Sequence, residues 1–117
     1  MHKSSKSLFR QNLQLAERVD DCVKKLVKAF DPEKVILFGS FARCEIKEAG
    51  TLDFMVIAKT KLKFFNRIKK ALLACKGGFP SIEPLVYTPE ELSILLDQGE
   101  GFVEDALEEG ITLYKKD

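Results

Sequence analysis

The chain has 117 residues, 45% of them hydrophobic, which suits one domain spanning 1–117 with a buried core and leaves little room for a second. Acids and bases nearly cancel at a net charge of +1, so the basic excess of a general nucleic-acid binder is missing and nucleic acid is not an expected partner. No run approaches the roughly 18 apolar residues of a membrane helix, and the opening MHKSSKS lacks the apolar stretch of a signal peptide.

Residues 1–6 are expected to be disordered. Over 7–30, Leu8, Phe9, Leu13, Ala16, Val19, Val23, Leu26, Val27 and Phe30 recur at helical spacing. Asp31-Pro32 ends that helix, because a residue before proline is pushed out of the α region. Val35 to Phe38 is a short apolar run bounded by Gly39 and reads as a buried strand. Leu52 to Ala58 is a second strand, with Leu52, Phe54, Val56 and Ala58 on one side and Met55 and Ile57 on the other. Apolar residues on both sides predict a central strand covered on both faces. A helix over 61–75 would turn Leu62, Phe65, Ile68, Leu72 and Cys75 to the core. Phe64 beside Phe65 leaves two options: one exposed ring at an interface, or both buried by the sheet. Ile82 to Tyr87 is a third strand, placed at an edge by Pro84, which removes a ladder donor. Thr88 caps the next helix, with Pro89 at its first position. A short helix near 101–108 and a strand over 111–114 close the chain. The pattern is α/β, a small mixed sheet with flanking helices. Cys22, Cys44 and Cys75 form no CxxC pair, so neither a zinc site nor a disulfide framework is indicated, and a cytoplasmic chain with reduced thiols is expected.

The chemistry concentrates where the first strand runs into Gly39-Ser40 and a helix follows at once. Glycine lets a ligand approach the backbone. Ser40 either caps the helix or joins its free N–H groups in an anion site. Asp53 stands at the entrance of the central strand, aligned with Met55 and Ile57. An ionised carboxylate there is costly unless it is paired, hydrogen-bonded or bound to a cation. Two readings stay open, a strand-end Asp capping a loop and a metal ligand, and the apolar company favours the second.

Gly39-Ser40, the ten residues Phe41 to Gly50, and then Thr51-Leu52-Asp53 resemble the Gly-Ser and Asp-x-Asp motifs of minimal nucleotidyltransferases in the polymerase-beta superfamily. That family includes the antitoxin partners of HEPN toxins. Phe41-Ala42-Arg43 is similar to its usual helix start, and Val86-Tyr-Thr-Pro-Glu-Glu-Leu92 to the segment after its third carboxylate, which puts Glu83 at that position. Ala106 to Tyr114 looks like its closing strand, so the likeness covers roughly residues 20–114. The resemblance implies a nucleotidyltransferase fold that binds a nucleoside triphosphate, ATP, with Mg²⁺. Gly39 and Ser40 would hold the phosphates, Arg43 would neutralise their charge, and Asp53 and Glu83 would hold the metal. It also implies a HEPN-type ribonuclease as protein partner, and a homo-oligomer is a further option.

Three departures bear on turnover. Thr51 occupies the place of the first catalytic Asp, Cys44 stands where the family has Gly, and Glu83 replaces a shorter Asp ahead of Pro84, which threatens the local register. Neither Glu45 nor Glu48 fits as a substitute, since both belong to the preceding helix or loop. A neutral Thr51 removes one charge from a two-metal site, a loss of about 10²- to 10⁴-fold in rate. Nucleotidyl transfer is therefore expected to be weakened or lost, and the competing reading is a non-catalytic module that masks its partner.

Charge is segregated along the chain. Residues 59–76 hold Lys59, Lys61, Lys63, Arg67, Lys69, Lys70 and Lys76 with no acid, and 88–109 hold eight acids with no base. These stretches read as two solvated faces that attract each other or a symmetry mate, or as a basic face for phosphate and an acidic face for a basic partner. His2 lies in the expected disordered start and is not a catalytic candidate.

Overall fold

The computed structural model describes residues 12–43 and 50–117, so the expectations for residues 1–11, and for Cys44, Glu45 and Glu48, fall outside it. The elements run α1 (Leu13–Phe30), β1 (Lys34–Phe38), α2 (Gly39–Ala42), β2 (Leu52–Ile57), α3 (Phe64–Ala74), β3 (Ile82–Tyr87), α4 (Pro89–Asp97), α5 (Gly101–Glu109) and β4 (Ile111–Lys115). The four strands form one mixed sheet in the order β3-β2-β1-β4. β1 is antiparallel to both β2 and β4, and β2 is parallel to β3. Pro84 does sit on an edge strand. It leaves the register intact, because Leu52 to Ile57 pair with Ile82 to Tyr87 without a shift. At an edge, its missing N–H faces away from the ladder.

Strand alternation sorts side chains to two faces. Val35, Leu37, Leu52, Phe54 and Val56 join Val19, Val23 and Leu26 of α1 in the main core. Ile36, Phe38, Met55 and Ile57 form a smaller cluster with Ala106 of α5 on the other face. α1 begins at Asn12, whose side chain accepts from Leu15 N–H, and ends at Asp31, a left-handed residue (φ 46°) whose N–H bonds Val27 O. The proline rule gave the right stop with a different conformation. Leu13, one of the apolar residues at helical spacing, is exposed, and Leu15 and Cys22 are buried in α1.

α3 departs most from its sequence pattern. Phe65 is 81% exposed and Leu72 45%, and Leu62 is exposed as well, while the buried line is Arg67, Ala71 and Cys75. The apolar stripe Phe65-Ile68-Leu72 therefore lies about a quarter turn from the sheet-facing line. Arg67 takes the inward position because its guanidinium is both paired and hydrogen-bonded there. Its guanidinium donates to Leu62 O (2.7 Å) and Val86 O (3.1 Å), and to both oxygens of Glu91 (2.6 and 3.2 Å). A buried cation is tolerated when it is paired and hydrogen-bonded in this way. Glu91 also accepts from Thr88 N–H in a capping box, so one carboxylate fixes the start of α4 and neutralises α3. The two oppositely charged stretches meet here within one chain. Cys22 and Cys75 are buried as free thiols.

Candidate functional site

Asp53 and Glu83 come together by register. They are opposed residues on the parallel pair β2 and β3, and both point to the α5 side of the sheet, as Met55 and Leu85 do. Burial first, and then the neighbouring Glu83 carboxyl, push the Asp53 carboxyl from its ordinary 3.8 up to about 6. The Thr51 hydroxyl and the Arg43 guanidinium pull the other way. Thr51 thus stands two residues before Asp53, near its carboxylate.

Gly39 is fixed by this carboxylate. Its φ is +74°, a region that side chains rarely adopt, and a Cβ would overlap Asp53 Oδ2. The close approach expected of a ligand at Gly39 is made by Asp53 itself. Ser40 is not an N-cap: Phe38 holds that place and no side chain caps the turn. Of the two readings for Ser40, capping is excluded.

These residues line a cavity of about 560 Å³ that also takes in Phe38, Arg43 and one side of α5. Phe102, Asp105, Ala106 and Glu109 supply that wall at spacing i, i+3, i+4, i+7, so they share one helical face. Phe102 meets Phe38 edge to face at 5.8 Å, and Arg43 Nη1 pairs with Glu109 Oε2 at 3.2 Å. Sequence reasoning missed the α5 wall, since Asp105 and Glu109 read as part of a solvated acidic face. The small buried Ala106 between them marked the face that approaches the sheet.

Four carboxylates (Asp53, Glu83, Asp105 and Glu109) and one guanidinium (Arg43) therefore surround the cavity. Bare triphosphate would be repelled by such a ring, and a divalent cation would be drawn in. Asp53 and Glu83 fit one hard cation with water completing its shell, and Thr51 brings no charge for a second. Among the described residues no group of three or more potential ligands is gathered for a metal.

Of the residues singled out from sequence, Gly39, Ser40, Arg43, Asp53 and Glu83 all line this one cavity, and Thr51 adjoins it through Asp53. No family profile matches the chain, and no curated protein does. Solved structures do. A protein of Sulfolobus solfataricus described as a candidate nucleotidyltransferase superimposes with a TM-score of 0.60 at 18% identity, over 88% of this chain and 84% of its own. The fold is the nucleotidyltransferase fold. A chain from a toxin–antitoxin structure with AMP-PNP also matches, with a TM-score of 0.50 at 18% identity over 81% of this chain and 72% of that one. Among the described residues, no helix is long and apolar enough to cross a membrane.

Proposed function

We propose that this nucleotidyltransferase-fold chain binds ATP as its magnesium complex in the cavity at Asp53 and Glu83, with nucleotidyl transfer weakened or lost at Thr51. The observation that carries the reading is the Asp53–Glu83 pair, two carboxylates opposed in register on β2 and β3 that line one cavity. Asp53 and Glu83 would hold the ion, which supplies charge neutralisation for the triphosphate. Ser40 and Arg43 would meet the phosphates, and Gly39 leaves room for the Asp53 carboxylate.

The biological setting is an antitoxin acting on a HEPN-type ribonuclease. The sequence resemblance supports it, as does the likeness to a chain from a toxin–antitoxin structure. Within that setting, masking of the partner is favoured over modification by one feature. Thr51, which stands where the family has its first carboxylate, is neutral and brings no charge for a second ion.

Transfer of label from ATP to a candidate toxin tests this directly. The natural chain should neutralise its partner at about one copy per copy, with little or no added mass. Thr51→Asp restores the missing charge and should raise transfer by about 10²- to 10⁴-fold. Fast substoichiometric neutralisation with a nucleotidylated partner would make the natural chain an efficient enzyme and overturn the reading.

A further inference from the structure

Among the described residues that line the cavity, Arg43 is the only cation. Its backbone is tied to the turn it ends, since its N–H bonds both Gly39 O (3.3 Å) and Ser40 O (3.1 Å). Its guanidinium reaches across to α5, where Nη1 pairs with Glu109 Oε2 at 3.2 Å. Burial and the Glu83 carboxyl raise the Asp53 carboxyl, and Arg43 is among the groups that oppose them. The same cation therefore bears on both the α5 wall and the carboxylate pair.

An acid is unfavourable at Glu109. It closes the last turn of α5 beside Glu108, with no base in that turn, and the free carbonyls of a helix end repel a carboxylate. Its backbone is nevertheless held over β1. Gly110, the next residue, donates its N–H to Ala106 O at 2.9 Å, and a Cβ there would overlap Ala106 O and the Ile36 side chain. The carboxylate is thus carried to the cavity wall by the fold. Both members of the ion pair are half-exposed, so the pair is weak enough for a stronger anion to break.

We propose, on the ATP reading of this cavity, that Glu109 is an internal competitor for the triphosphate: it pairs with the guanidinium that the phosphates need and must release it when Mg-ATP binds. Phosphate oxygens and a carboxylate are acceptors of the same kind for a guanidinium, and bidentate contact with phosphate needs the fork that Glu109 fills in part. Removing the carboxylate acts twice, by lowering repulsion at the phosphates and by freeing a donor. The second effect runs only through Arg43, so the two can be separated.

In calorimetric titration with Mg-ATP, Glu109→Gln should bind about 3- to 5-fold more tightly than the natural chain. In an Arg43→Ala background the same change should gain less than about 2-fold, because no guanidinium is left to release. Glu108→Gln removes the same charge from a residue outside the cavity wall, and screening should hold its dissociation constant within about 2-fold. Circular dichroism and melting confirm that each variant folds. An equal gain with and without Arg43 would leave repulsion alone and overturn the proposal. An affinity that Glu109→Gln leaves unchanged while the melting temperature falls would overturn it too, and make the pair a tie between α2 and α5. Either result leaves the ATP reading standing. No binding by any of these chains at millimolar Mg-ATP would remove that reading and the competition with it.

Discussion

The two faces of the sheet make a controlled comparison, because one strand serves both. From β2, Leu52, Phe54 and Val56 enter a closed core under α1, while Asp53 opens onto a cavity on the α5 side. One face is sealed by large side chains with no exposure, and the other is only partly roofed and ringed with carboxylates. Adjacent residues thus answer to different demands. The closed face holds the fold together, and the open face carries the charged lining of the cavity.

Changes on the two faces should separate cleanly. Phe54→Ala, on the closed face, leaves a cavity in a fully buried position and should cost about 3–5 kcal/mol in urea unfolding. Next in size is Glu91→Ala, which strips the carboxylate from buried Arg67 and should cost about 2–4 kcal/mol at neutral pH. Arg67 holds the Glu91 carboxyl below its ordinary range, so this contribution is present at neutral pH and is lost as pH falls through the folded value. Unfolding curves for the natural chain and Glu91→Ala should therefore converge in acid.

Asp53 on the open face should behave in the opposite sense and by less. Its carboxyl, raised to about 6 from 3.8, keeps a proton in the folded chain that the unfolded chain has released. Without metal, stability should then decline as pH rises from about 4 through 6. Asp53→Asn should remove that decline and raise the melting temperature by a few degrees at pH 7.5. A drop in melting temperature would mean that Asp53 is a structural cap after all, and the two faces would lose their contrast.

Much of this was readable from the chain, for physical reasons. β2 was legible as central because a strand apolar on both sides has to be covered on both. The position of β3 followed from Pro84, and the start of α4 from Thr88 and Pro89. The pairing of Asp53 with Glu83 needed the β2–β3 register, which pattern alone does not fix. α3 misled because periodicity reveals that a stripe exists and not what it faces. Its inward line holds an arginine whose carboxylate partner lies in another helix, and that pairing is invisible in a local window. Asp105 and Glu109 were hidden for a related reason, since acids at helical spacing read as solvent-facing until the roof of a cavity is known.

The central claim is that the open face accepts a nucleotide only in company with a divalent cation. Calorimetric titration of the natural chain with ATP, with Mg²⁺ and then with a chelator, tests it most directly. Heat should appear with Mg²⁺, vanish with chelator, and fall in Ser40→Ala and in Asp53→Asn. Equal binding of ATP without the ion, or no binding at millimolar Mg-ATP, would contradict the account.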